Sequence, residues 1–315
     1  MITLSVVIPV YKEGSHLAVT VPSIIKELVA CEVAYEVILV DDGSPDETWT
    51  VLVELCRQEP RVSAVRLSRN FGKEAALAAG LERAAGEAIV VMDGDLQHPP
   101  CLIREMLRHW RDGAEVVEGV KEDRGRESLI SRFQAELFYG LFTKLTGFDL
   151  RGASDFKLLD RRVLGAWRQM GEHNLFFRGM TAWLGFRRVT VPFTVNARID
   201  GTSQWSTLAL TRLAINAVTS FTSAPLYMLN TAGIVFLVFA MVLGLHTLTL
   251  KISGRAVDGF STVILLLLIM GSAIMLGLGV IGVYLARIYE EAKNRPRFVV
   301  AEHSIAEHSP PGSAA

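Results

Sequence analysis

Asp93-Gly94-Asp95 puts two carboxylates one residue apart on a turn opened by glycine. Side chains so placed can face one small space, and a divalent cation would offset their repulsion. Hard oxygen ligands suit Mg²⁺ or Mn²⁺, which bind through one or two carboxylates together with substrate phosphates. Alone, an Asp-x-Asp turn is as readily a structural loop. Its setting singles it out: Ala88-Ile89-Val90-Val91-Met92 precedes it, and Leu96-Gln97-His98-Pro99-Pro100 follows. Two further clusters also close apolar runs. Asp41-Asp42 can accept hydrogen bonds from a ribose or a base edge, or serve in helix capping. Pro9-Val10-Tyr11 with Glu13 offers a ring that can stack on a base or cover a sheet edge.

The elements that would position these groups alternate. Leu4 to Val10 is a short apolar, β-branched run that predicts a buried strand. Ser15 to Cys31 carries Leu17, Val21, Ile24, Ile25 and Leu28 at helical spacing. Tyr35 to Val40 is again strand-like, and Ser44 or Asp46 can cap a helix from Glu47. Val62 to Leu67, the Ala-rich helix Gly72 to Ala85 and the strand Glu87 to Met92 complete the series. Such alternation implies an α/β domain with a mainly parallel sheet. Open sheets of this kind bind ligands at the carboxyl ends of their strands. The polar clusters fall there, Ser68-Arg69-Asn70 included.

Half of the 315 residues are hydrophobic, and the mean hydropathy of +0.32 is a value soluble domains seldom reach. Leu226 to Leu250 and Gly259 to Ala286 are uncharged and longer than the roughly 20 residues a bilayer core needs. Both are expected to be transmembrane helices. Gly271, Ser272, Ala273, Gly277, Gly279 and Gly282 in the second permit close contact, with the first helix or between subunits. More Lys and Arg lie on the flanks than in the loop from Lys251 to Phe260, which places both flanks in the cytoplasm. No signal peptide is evident. Phe133 to Phe148 and Trp205 to Phe221 read as amphipathic helices, packed on the core or lying in the membrane interface. Glu302 to Ala315 is polar and is expected to be disordered. The expected organisation is a cytosolic domain over 1–204, an interfacial helix over 205–225, two spans over 226–287 and a cytosolic tail over 288–315. A net charge of −1 argues against a nucleic-acid binder. Cys31, Cys56 and Cys101 form no CxxC, so neither a zinc site nor a disulfide framework is expected.

Together, Val7-Ile8-Pro9-Val10-Tyr11-Lys12-Glu13, Val40-Asp41-Asp42-Gly43-Ser44-Pro45-Asp46 and Asp93-Gly94-Asp95-Leu96-Gln97-His98-Pro99 resemble family 2 glycosyltransferases of the GT-A fold. The resemblance is to the polyprenyl-phosphate branch, the dolichol-phosphate mannose synthases and bacterial bactoprenol glucosyltransferases, and covers nearly the whole chain. It implies that Pro9, Tyr11, Glu13, Val40 and Asp42 hold the nucleoside, with Asp93 and Gly94 near the ribose and diphosphate. Asp95 and Gln97 would be ligands for Mg²⁺ or Mn²⁺. Ser154 to Asp160 resembles an acceptor-side motif with Asp155 near the reacting centre. Arg198 and Gly201-Thr202-Ser203 resemble a phosphate-contacting loop, although Gln204 stands where many relatives have Lys. Lys121, Arg124, Arg126 and Arg132 are further candidates for the anionic groups.

The reaction so implied moves a sugar from a nucleotide-diphosphate donor, UDP-glucose in first place, to undecaprenyl phosphate at the inner-membrane face, with inversion. UDP-GlcNAc, GDP-mannose and an aminoarabinose donor are alternatives, and relatives suggest a tetramer. Asp93, Asp95 and Asp155 are the candidate catalytic groups. Asp155 is expected to orient first and act as a base second, since a lipid phosphate is already anionic. A processive polysaccharide synthase is disfavoured because no QxxRW occurs. A non-catalytic scaffold is disfavoured by the intact Asp93, Asp95 and Gln97.

Overall fold

The computed structural model describes residues 2–95, 97–121, 140, 143–144, 147, 154–172, 176–193, 219, 222–254 and 259–305. Its elements begin β1 (Leu4–Val10), α1 (Gly14–Ala30), β2 (Tyr35–Asp41), α2 (Thr48–Gln58), β3 (Val62–Leu67), α3 (Lys73–Arg83) and β4 (Ala88–Val91). They continue with α4 (Leu102–Arg111), β5 (Val116–Lys121), β6 (Lys157–Asp160), α5 (Arg161–Gln169), α6 (Phe177–Trp183) and β7 (Arg188–Phe193). Two long helices follow, α7 (Ala224–Ile252) and α8 (Phe260–Ala292), and then β8 (Val300–Ile305). Contacts divide the chain into two units, Met1–Thr207 with Pro296–Ala315, and Leu208–Arg295.

The first unit is built on one sheet in the order β7-β5-β6-β4-β1-β2-β3-β8. Its centre, β4-β1-β2-β3, is parallel. β6 joins β4 and β5 antiparallel, while β5 and β7 pair in parallel. Every residue of β1 and β4 is buried, as expected of strands covered on both faces. Leu17, Val21, Ile24 and Leu28 of α1 turn into this core at helical spacing.

Helix α3 lies close to the sheet because its inward residues are small. A Cβ on Gly80 would come within 2.3 Å of Val7 Cγ1 and 3.2 Å of Val40 Cγ2. The unbroken buried run Ala75 to Leu81 shows the same closeness. This packing fixes where the first turn of α3 meets the strand ends.

β8 corrects one expectation. Glu302 to Ile305 are not part of a disordered tail but pair antiparallel with β3. The physical reason is the edge of β3, whose backbone groups would otherwise lack partners. Ser68 N–H also donates to Val299 O at 2.8 Å. The remainder of that tail, 306–315, lies outside the described residues, as do most of 133–148 and 205–221.

In the second unit, α7 and α8 are long and apolar enough to cross a membrane. They approach each other closely at one of the predicted glycines, since a Cβ on Gly277 would meet Leu229 Cδ1 at 2.9 Å, whereas Gly271, Gly279 and Gly282 face open space. Tyr284 OH donates to Thr222 O at 2.7 Å.

Gly80→Val would force α3 off the sheet. It is expected to cost about 1–3 kcal/mol, the usual penalty for overpacking a core. Thermal unfolding of the detergent-solubilised chain checks this by a lowered Tm.

Candidate active site

Three loops at the carboxyl ends of β1, β2 and β3 are tied together by side chains that the strand ends supply. After β1, Lys12 takes a left-handed φ of +58°. Its N–H donates to Ser44 Oγ at 2.9 Å. Glu13 and Gly14 N–H donate to Thr48 Oγ1 at 3.2 and 3.0 Å. Asp46 accepts the Thr48 N–H and hydroxyl, so it holds the start of α2 while Ser44 serves β1 instead. Asp41 Oδ1 accepts Ser44 N–H at 2.9 Å. Asp42 reaches across to the next loop, where Phe71 and Gly72 N–H donate to its two oxygens at 2.7 and 2.8 Å. Gly43 at φ +65° lies against that loop, for a Cβ there would sit 2.4 Å from the Arg69 carbonyl carbon. Only glycine accommodates both constraints.

The turn after β4 is held from below. Asp93 N–H donates to His98 Nδ1 at 3.2 Å. The His98 ring stacks on Phe156 with centroids 5.0 Å apart. Asp95 Oδ1 accepts Gln97 N–H at 3.1 Å, which closes the turn. Lys73, the first residue of α3, then gathers the carboxylates. Its Nζ lies 2.5 Å from Asp93 Oδ1 and 2.7 Å from Asp155 Oδ2. Arg178 of α6 forks onto Asp155 from the other side, with Nε 2.7 Å from Oδ1 and Nη2 2.9 Å from Oδ2. Pro9, Tyr11, Glu13, Asp42, Asn70, Gly72, Lys73, Asp93 and Asp95 line a cavity of about 300 Å³.

Charge in this cluster is unevenly distributed. Burial drives Glu13 up to about 7, and the negative charges of Asp95 and Asp93 add to it. Burial also raises Asp42, against the two backbone N–H groups it accepts from. Asp155 goes the other way. Burial would raise it, but Arg178 and Lys73 outweigh that and hold it well below the usual carboxylate range. Burial likewise opposes the Lys73 ammonium, yet Asp93 and Asp155 keep its pKa above the ordinary lysine value. The centre is therefore an ion cluster in which Asp155 stays ionised.

A divalent cation fits the donor set on a stated condition. Among the described residues no group of three or more His, Cys, Asp and Glu side chains could hold a metal. Two hard ligands, the Asp95 carboxylate and the Gln97 carboxamide, would need substrate phosphates to complete the shell, which is the habit of Mg²⁺ and Mn²⁺. Glu13 Oε2 and the Gln97 side-chain nitrogen are buried with no hydrogen-bond partner among the described residues. Polar atoms left orphaned at a strand-end turn fit a site that a ligand completes.

The structure thus brings Pro9, Tyr11, Glu13, Asp42, Asp93 and Asp95 around one cavity, with Asp155 joined to it through Lys73. Val40 is wholly buried beneath Gly80 and does not line the cavity. Lys121 closes β5. Arg124, Arg126, Arg132, Arg198, Ser203 and Gln204 lie outside the described residues. Sequence reasoning missed Lys73, His98, Arg178 and Glu74. One signal was present for Lys73: a cation at a helix N-terminus is disfavoured by the helix dipole unless something anionic faces it.

The fold and these strand-end carboxylates define a glycosyltransferase of the GT-A type. Residues 5–162 match the model of glycosyl transferase family 2, and the chain belongs to that family. An uncharacterized glycosyltransferase of Synechocystis is 36% identical over 306 residues, covering 96% of this chain and 95% of that protein. The prophage bactoprenol glucosyl transferase homolog of Escherichia coli K12 is 34% identical, over 94% of this chain and 98% of its own. The bactoprenol glucosyl transferase of Shigella phage SfII is 33% identical, over 94% and 97% respectively. In fold the chain resembles mannosyl-3-phosphoglycerate synthase from Rubrobacter xylanophilus, with a TM-score of 0.51 at 16% identity over 69% of this chain and 72% of that one.

Glu74 offers a test of these electrostatics. It accepts Phe177 N–H at 2.8 Å and so joins α3 to α6. Burial raises it from 4.5 to about 7, although that N–H opposes the shift. A carboxyl whose folded pKa is raised binds a proton on folding, so stability falls as pH rises between the two values. Glu74→Gln keeps an acceptor oxygen and carries no charge. Its Tm is expected to match wild type below pH 4.5 and to exceed it increasingly up to pH 7. Above that the gain stays constant, on the order of 1–3 kcal/mol.

Proposed function

We propose that this chain transfers a sugar from a nucleotide-diphosphate sugar, UDP-glucose, to a polyprenyl phosphate of the undecaprenyl type. The observation that carries the reading is the Lys73–Asp93–Asp155 cluster at the mouth of a strand-end cavity. It stands in a chain whose likeness to bactoprenol glucosyl transferases runs through both apolar helices. The nucleoside lies toward Tyr11, which is 40% exposed at the cavity rim, with Pro9 and Glu13 below it. The diphosphate lies toward Lys73, Asp93 and Asp95.

In the reaction the bond between the anomeric carbon and the diphosphate oxygen breaks, and its electron pair leaves on that oxygen. An oxygen of the lipid phosphate attacks from the opposite face, so the anomeric centre inverts. Mg²⁺ or Mn²⁺ held by Asp95 and Gln97 would supply Lewis-acid stabilisation of the departing diphosphate. Lys73 is placed to add a fixed positive charge to the same oxygens. The acceptor arrives ionised, so no proton need be removed. Asp155, held ionised by Arg178 and Lys73, is accordingly an orienting group that keeps both cations in place. Lys121, Arg124, Arg132, Arg198 and Ser203 are assigned to the acceptor and donor phosphates on the family resemblance.

The course of the chain supports a position at the membrane. β8 follows the two apolar helices and pairs with the same sheet that precedes them. Two spans between these points leave both flanks on one side, and the Lys/Arg excess on the flanks makes that side cytoplasmic. The catalytic unit would then work at the cytoplasmic face of a bacterial inner membrane, where a polyprenyl phosphate presents its head group. The same family resemblance suggests a tetramer.

Purified full-length protein, given Mn²⁺ or Mg²⁺, undecaprenyl phosphate and a panel of nucleotide sugars, is expected to form a lipid-linked hexose from UDP-glucose. No lipid-linked product with any donor would contradict the reading. A product from another donor would correct the sugar alone. Asp95→Ala is expected to abolish metal-dependent turnover in a folded protein. Lys73→Met is expected to lower kcat by about 10²–10³-fold, the usual loss when one stabilising donor is removed.

A further inference from the structure

β8 does more than cover an edge. Its Glu302 meets two side chains of the sheet unit, one with each carboxylate oxygen. Oε1 accepts from Arg66 Nη1 at 2.9 Å, and Oε2 accepts from Trp49 Nε1 at 2.9 Å. Arg66 sits on β3, and the strand register shifts beside it, between Arg66 and Leu67. The rest of its guanidinium faces the donor loops. Nη2 donates to Ser44 O at 3.1 Å, and Nε lies 3.4 Å from Asp41 Oδ2.

Those two groups are the roots of the nucleoside end of the cavity. Asp41 is fully buried, and its Oδ2 makes no hydrogen bond within the described residues. Arg66 is the cation facing that oxygen. Ser44, whose carbonyl Arg66 holds, uses its hydroxyl to fix Lys12 N–H between Tyr11 and Glu13. Glu302 therefore bears on the cavity lining through Arg66, then Asp41 and Ser44, then Lys12. A guanidinium shared among a carboxylate, a carbonyl and a second carboxylate keeps a defined orientation. Without Glu302, Arg66 keeps the Trp49 ring, 5.9 Å from its guanidinium carbon, but loses its charged partner on β8, and its hold on the loop carbonyl loosens.

We propose that Glu302 is a positioning residue for the nucleotide, so that the segment following the second apolar helix is a working part of the donor site. The inference rests on the nucleotide-sugar reading above. The ligand class is a nucleoside diphosphate, and the group that loses support is the Tyr11–Glu13 loop, not the reacting carboxylates. Donor binding and the docking of β8 are then linked: each favours the other.

The test compares Glu302→Gln with His303→Ala in the full-length protein. His303 lies on the same strand and contacts Arg83 at 3.2 Å, away from the cavity. UDP binding in the presence of Mn²⁺ is measured by calorimetry, and KM and kcat by lipid-linked product. Glu302→Gln is expected to weaken UDP binding and raise the donor KM by about fivefold, the size of a partly exposed charged contact. Its kcat and its KM for undecaprenyl phosphate stay within about twofold of wild type. His303→Ala leaves all of these unchanged. Wild-type affinity for UDP in Glu302→Gln overturns the proposal. So does an equal loss in both variants, which would make β8 a merely structural strand. If wild-type protein binds neither UDP nor GDP, the nucleotide-sugar reading falls first, and this inference with it.

Discussion

The Lys73 ammonium between Asp93 and Asp155 is the contact on which the rest of the site depends. Glu13, Asp93, Asp95 and Asp155 are acidic groups drawn to one region by the sheet. Like charges at that density resist both folding and the approach of an anionic diphosphate. Lys73 offsets part of that charge, and Arg178 offsets more at Asp155. Lys73 can stand there only because α3 starts at the end of β3 and lies flat on the sheet. Gly80 and the alanines of α3 permit that approach. The electrostatics of the site and the packing of the core are in this way one problem.

Under the proposed function the sheet solves a second problem, that of carrying a reaction at a lipid surface. Both of its flanks depart from the parallel centre. On one side β6 brings Asp155 back toward Asp93, because β6 runs antiparallel to β4 and its start lies beside the end of that strand. On the other side β8 returns from the apolar helices to β3. The two additions join the strand-end cavity to the segment carrying Asp155 and to the chain that follows the two apolar helices. Asp155, with both oxygens engaged by cations and its pKa held low, is better suited to hold geometry than to accept a proton.

Much of this was legible beforehand. The four central strands fell within a residue or two of their predicted bounds, because each is a short, mostly apolar and β-branched run closed by a polar cluster. The cavity residues Pro9, Tyr11, Glu13, Asp42, Asp93 and Asp95 were legible for the same reason, since strand ends in such a sheet converge. Lys73 was not, because its partner Asp155 is 82 residues away and only the packing of α3 joins them. Arg178 gave no sign, lying on a short helix without a motif. β8 was missed because Val-Ala-Glu-His-Ser-Ile is half polar, and a strand paired on one edge needs no apolar run. Val40 was read as a nucleoside contact; its side chain packs under α3, which leaves its backbone for that role.

Among the described residues the cavity has too few ligands of its own to hold a cation well, and under the proposed function the diphosphate would supply the rest. Titration of Mn²⁺ into the full-length protein, followed by electron paramagnetic resonance with and without UDP, tests this directly. One Mn²⁺ per chain is expected, bound about tenfold or more tightly when UDP is present. This site should be lost in Asp95→Ala. Equal affinity with and without UDP, or unchanged Mn²⁺ binding in Asp95→Ala, would contradict the assignment.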